Sequence, residues 1–150
     1  MHSLPLHAMD WIGPILGALV FVLLMSLVRE PARRNFNAVL VAGAGGVYLS
    51  GGLGLFELLY PAIATAVAYL GLRAHRFIGL AWLMHAAWDL VHHLYGNPIW
   101  PFMATSSFGC LVFDALIAVW FFANAPSIFT LLRSRGAISH GRAPTPASLP

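Results

Sequence analysis

Every basic residue of this chain is an arginine, and all eight stand outside its five apolar runs. The runs are Trp11–Val28, about Phe36–Gly52, about Leu55–Leu72, Phe77–Tyr95 and about Ser107–Ala123, with an extension of the last past Pro126 to Leu132 as the alternative. A membrane-spanning helix needs about 20 apolar residues, with a range of about 17–25. Apolar residues make up 59% of the 150 and charged residues 9%, whereas a soluble domain carries about 25% charged residues. The pattern predicts an all-α, polytopic transmembrane bundle of five spans, about 11–28, 36–52, 55–72, 77–95 and 107–123. Residues 1–133 form one domain in this reading. Residues 134–150, rich in Pro, Ser and Gly, form a disordered cytoplasmic tail.

Arginine placement sets the expected orientation. Arg29, Arg33 and Arg34 follow the first run, Arg73 and Arg76 precede the fourth, and Arg133, Arg135 and Arg142 follow the fifth. With five spans all eight fall on one side, and the positive-inside rule makes that side cytoplasmic. The chain is then a multi-pass protein of the cell inner membrane with its N-terminus outside and its C-terminus in the cytoplasm. Trp11, Tyr60, Tyr95 and Trp100 fall at the outer boundary, as an aromatic belt would. No Lys or Arg precedes the first run, so that run is read as a retained helix rather than a cleaved signal. With no basic run interleaved with aromatics, nucleic acid is not an expected partner.

Ala42, Gly46, Ser50 and Gly54 recur every four residues along the second run. Small residues at that spacing let helix backbones approach closely, either within the bundle or across a homo-oligomer interface. The single cysteine, Cys110, excludes an internal disulfide and reads as a small core residue. No Gly-rich phosphate loop or nucleophile elbow is present.

The fourth run carries His85, Asp89, His92 and His93 among apolar neighbours, and Asp114 interrupts the fifth. Carboxylates in hydrocarbon must share protons, pair with histidine or hold a cation. At 100° per residue, Asp89 falls about 40° from His85, His92 about −20° and His93 about 80°. The first three thus share one helix face, with His93 at its edge. A rise of 1.5 Å per residue sets Asp89 about 9 Å below Tyr95 and Asp114 about 10 Å below Ser107. Antiparallel neighbours would bring the two carboxylates to one level. Glu57, near the outer end of the third run, could join them, while the arginines lie on the opposite side of the membrane.

Three readings follow. His85, Asp89 and His92 could chelate one ion, with Asp114 or Glu57 completing the shell or acting as base together with His93; imidazole and carboxylate suit Zn or non-haem Fe. A water on such an ion would be a nucleophile, so an enzyme acting on a lipid or another apolar small molecule is implied. Without metal, the same groups could move a proton in a carrier or binding protein. The third reading is structural: Asp–His hydrogen bonds join two helices, each worth about 0.6–2 kcal/mol. His75 and the terminal His2, His7 and His140 read as solvated. Asn97 and Ser106, within the loop GNPIWPFMATSS, could bind polar groups of a substrate or cap a turn and a helix.

The stretch WLMHAAWDLVHHLYGNPIWPFMATSSFGCLVFDALIAVWF resembles a bacterial, largely actinobacterial, integral-membrane family known only as a domain of unknown function. The opening DWIGPILGALVFVLLMSLVREPARR and the run YLSGGLG-FELLYP are similar to it as well, so the resemblance covers about Asp10 to Ala125. It implies a helical membrane architecture and no particular chemistry. The string DLVHH is similar to one histidine box of membrane desaturases and hydroxylases. Asp89 stands where such a box has its first histidine, and seven histidines in all are fewer than those enzymes use.

Overall fold

The computed structural model describes residues 5–48 and 51–140, with side chains to residue 134. Among the described residues there are six helices and no strand: α1 (Ala8–Leu27), α2 (Ala32–Ala44), α3 (Phe56–Gly71), α4 (His75–Tyr95), α5 (Ser106–Phe122) and α6 (Ile128–His140). The five expected runs correspond to α1–α5. By length and composition α1 alone, at 20 residues and a mean hydropathy of 2.0, is apolar and long enough to cross a membrane. The helices α3 and α5 are apolar but shorter. The 21-residue α4 loses hydropathy to its four histidines, Arg76 and Asp89.

Local chemistry explains the boundaries. Asp10 accepts the His7 amide at 2.7 Å, which satisfies one of the free N–H groups at the start of α1. The helix α2 starts earlier and ends sooner than its apolar run suggested. Its polar first turn, Ala32–Asn35, is helical, and the Gly45–Gly46 pair has too little helix propensity to carry it further. The chain leaves through tight turns in which Gly46 bonds Gly43 and Val47 bonds Ala44. Gly46 and Gly54 of the small-residue stripe therefore lie outside the helix, and Ser50 lies outside the described residues.

The fifth run does not continue past Pro126 as one helix. Asn124 takes a left-handed φ of 64°, and Ala125 bonds back to the Trp120 carbonyl while Asn124 bonds to Phe121. This is a Schellman stop, followed by the proline that often accompanies it. The chain then starts α6, which overlaps the first residues of the expected tail. The rest of that tail, residues 141–150, is outside the described region.

The helix α4 is the hub. It packs on α5, α3 and α2, while α1 lies against α5 and touches α6. Gly79 meets Ala118 and Phe122, His85 meets Asp114, and His93 meets Phe108. Rising numbers on α4 pair with falling numbers on α5, so the two are antiparallel. Small side chains permit the close approach: a Cβ on Gly79 would stand 3.1 Å from the Ala118 carbonyl oxygen. Buried alanines at 38, 68, 81 and 118 line the same seams. Large apolar side chains point mostly outward. Along α1, for example, Leu16, Leu19, Val20 and Leu24 are all more than half exposed, and only Ala18 and Ser26 are buried.

Candidate functional site

Polar side chains fill the centre that alanines leave narrow. Glu57, His85, Asp89, His92, Ser107 and Asp114 are all buried, at 0–4% exposure. They come from three helices. Helical spacing on α4 aligns His85, Asp89 and His92, while α5 brings Asp114 and Ser107 from one side and α3 brings Glu57 from the other.

The lower group is His85 with two carboxylates. Its Nδ1 lies 2.7 Å from Asp114 Oδ2 and 3.5 Å from Asp89 Oδ2. Its Nε2 lies 2.9 Å from the Ala44 carbonyl oxygen. That oxygen can only accept, so Nε2 carries the proton and donates it. The ending of α2 at Ala44 leaves this carbonyl without an intrahelical partner, and after accepting the Val47 amide in the turn it keeps a second lone pair for His85. Nδ1 is thereby aimed at both acids, and the short contact with Asp114 contains one shared proton. Asp89 Oδ1 accepts the Tyr48 hydroxyl at 2.8 Å, while its Oδ2 has no hydrogen-bond partner among the described residues.

The upper group is His92 with Glu57. His92 Nε2 lies 3.5 Å from Glu57 Oε2, too far for a good hydrogen bond, and both ring nitrogens of His92 are buried without partners among the described residues. Glu57 Oε1 accepts the Leu53 amide at 2.9 Å. The imidazole stacks on Tyr48 and stands edge-on to Trp88 at 5.1 Å. Gly51 and Gly96 flank it closely: a Cβ at either position would run into the His92 ring. The Asn97 amide donates to the Gly51 carbonyl at 2.8 Å and ties these two loops together.

The ions and protons such a centre can hold follow from this geometry. His85, Asp89 and Asp114 each offer one ligand atom, and all three atoms lie within 4.8 Å of one another. Metal–ligand bonds of about 2.0–2.2 Å place two ligands of one ion no more than about 4.4 Å apart. The two distances from His85 already fit. The trio could therefore hold a metal ion. Among the three residues named as ligands from the sequence, His85 and Asp89 share this cluster, and His92 belongs to the upper pair. Asp114, named as a base or completing group, lies at ligand distance. Glu57 meets His92 rather than the trio. His93 stands apart, tilted against Phe108 at 5.4 Å.

Other polar side chains have structural work. Asp10 accepts from Thr105 at 2.7 Å besides capping α1. Ser106 accepts the Trp100 amide at 3.0 Å. His75, expected to be solvated, is mostly buried and lies 2.9 Å from Glu30. Burial opposes ionisation of Glu30, but hydrogen bonds from Arg33 and His75 outweigh it and hold the carboxyl below its ordinary value. Tyr48 was not singled out from the sequence: one tyrosine in a glycine-rich run makes no periodic pattern. The only sequence signal near it was the density of glycine at Gly43–Gly54.

No curated protein and no solved structure matches this chain. Residues 9–127 match the family of unknown function DUF6010, which is most of the chain. The chain belongs to the DUF6010 family.

Proposed function

We propose that this is a five-span inner-membrane protein whose buried His85, Asp89 and Asp114 bind one divalent ion, Zn or non-haem Fe, for chemistry on a lipid or another apolar molecule. The orientation is N-terminus outside and C-terminus in the cytoplasm, in keeping with the arginine distribution and with the bacterial membrane family that the sequence resembles. An outward display of leucine and valine around a polar centre supports the membrane reading, because soluble monomers rarely expose large contiguous apolar patches.

One observation carries the metal reading: His85 Nδ1 faces both carboxylates while Nε2 is anchored to a carbonyl. Metal-bound imidazoles are typically held this way by their second nitrogen. An ion would replace the shared proton, and the two acids would neutralise its charge. Imidazole with carboxylates matches the donor preference of Zn and Fe. A groove of about 430 Å³ between α1 and α5 reaches Cys110, one helical turn from Asp114. Its walls include Gly13, Pro14, Met103 and Phe113, which suits an apolar substrate. His92 and Glu57 then serve as the nearby acid–base pair.

The 2.7 Å contact of His85 with Asp114 favours a second reading, in which the group carries protons for a coupled carrier. Metal analysis of the purified full chain separates the two. The enzyme reading expects about one equivalent of Zn or Fe, lost in His85→Ala and Asp114→Asn and kept in His93→Ala. Folded protein that stays metal-free after incubation with both ions overturns it in favour of proton transfer.

A further inference from the structure

At the opposite end of the molecule, the loop between α1 and α2 meets the start of α6 in a pocket of about 500 Å³. Arg29, Arg33 and Arg133 line it with Glu30, Ser127 and Thr130. Three guanidiniums against one carboxylate leave a net charge of +2. Glu30 is already engaged: it accepts from Arg33 Nε at 2.8 Å and lies 2.9 Å from His75.

Arg33 is the informative residue. It is only 6% exposed, with its guanidinium 5.8 Å from the Trp120 ring centre. Its Nε is used by Glu30, yet its Nη1 is buried with no hydrogen-bond partner among the described residues. A buried, unpaired guanidinium N–H is costly unless an acceptor reaches it. Arg33 borders the pocket, so a shift of its guanidinium would bring Nη1 to an acceptor held there. The first turn of α6 borders the same space and adds the partial positive charge of a helix N-terminus. Ser26 Oγ accepts the Ile128 amide at 3.2 Å and Ser127 Oγ donates to the Ser26 carbonyl at 3.0 Å, so this end of α6 is fixed against α1.

We propose that this pocket is a phosphate site, in which the exposed Arg29 and Arg133 bind a phosphomonoester group and the guanidinium of Arg33 turns to meet it. Guanidinium groups in a fixed fork are the side chains best matched to phosphate oxygens. The site is separate from the His/Asp centre and does not depend on the metal reading. Its ligand is either the headgroup of an anionic lipid such as phosphatidic acid, or a free phosphate.

The test uses the full chain in neutral detergent micelles. Unfolding temperature is followed while inorganic phosphate is added, and separately while phosphatidic acid is added, with phosphatidylcholine and sodium chloride as controls. A rise with phosphatidic acid alone identifies the lipid headgroup as the source. A rise with inorganic phosphate identifies the free anion. In either arm Arg29→Gln and Arg133→Gln weaken the apparent affinity by about tenfold each, the scale of a charge-assisted hydrogen bond. Both are exposed arginines, so the variants fold even where Arg33→Gln does not. Arg73→Gln, in the other inner loop, serves as the charge-matched control and leaves the affinity unchanged. No rise over the controls in either arm overturns the proposal. An equal loss in Arg73→Gln overturns it too, because generic attraction to anions is then enough.

Discussion

Tyr48 lies flat against His92, with ring centroids 3.7 Å apart and planes 11° from parallel, and the same side chain donates its hydroxyl to Asp89. A single residue in the turns after α2 thus touches both halves of the polar centre. It links the His92–Glu57 pair to the His85–Asp89–Asp114 trio although no direct bond joins them.

Tyr48→Phe separates these two roles. The ring can still stack, but Asp89 Oδ1 loses its donor and stays buried. Leaving a buried acceptor unsatisfied costs about 1–3 kcal/mol. Unfolding in mixed micelles, titrated with SDS, should show a loss of that size for Tyr48→Phe. A change within error would mean that the bond to Asp89 contributes nothing to stability.

Glycine is required beside His92. In Gly96→Ala the new methyl meets the His92 ring and stands 3.0 Å from the Gly51 carbonyl oxygen. Overpacking of this kind costs about 1–3 kcal/mol. Gly13→Ala is the internal control, because a Cβ there meets nothing within 4 Å and alanine favours the helix. The same unfolding measurement should show Gly96→Ala destabilised and Gly13→Ala neutral or slightly stabilised. Equal behaviour of the two would contradict the packing around His92.

Metal removal should be visible as stability. Any ion bound only by the folded protein adds about 2.7 kcal/mol when present at a hundred times its dissociation constant. Treatment with a chelator should therefore lower the unfolding temperature of the native protein, and adding back Zn or Fe should restore it. In Asp114→Asn neither step should move the transition. A chelator effect that persists in Asp114→Asn would point to another site.

The acid limb of stability should depend on Glu30. Its carboxyl is held below its ordinary value of 4.5 in the fold, against the effect of burial, by Arg33 and His75. A depressed carboxyl contributes stability that is complete above 4.5 and fades as the pH falls through the lower folded-state value. Native protein should thus exceed Glu30→Gln in stability at neutral pH, and the gap should close on acidification below 4.5. A gap that stays constant down to pH 2 would show that the ion pairs make no such contribution.

Sidedness can be read with cysteines. In a Cys110→Ser background, Met103→Cys should react with a membrane-impermeant maleimide from outside intact cells. Ala74→Cys should react only after the inner face is opened. Labelling of both from the same side would refute five spans.

The helical period was enough to align His85, Asp89 and His92 on one face of α4, and the helix rise was enough to bring Asp114 to the same depth as Asp89. Both are local regularities of one chain segment, so the linear order of residues contains them. The short α2 and the separate α6 were less legible. Their boundaries rest on glycine-rich turns and on a left-handed Asn124, where propensity differences are small against the tertiary contacts that settle them.

From its residue order alone, this chain specified a helical build, the alternation of apolar runs with arginine, and the set of polar groups that must meet away from those arginines. Which of those groups meet was decided only by the tertiary arrangement. The end of α2 at Ala44 orients the His85 ring, Tyr48 and the glycines at 51 and 96 hold His92 beside Glu57, and the packing of α5 puts Asp114 at ligand distance from His85. Period and rise describe one helix at a time, whereas side-chain partners depend on how neighbouring helices are rotated and how closely their small residues let them approach.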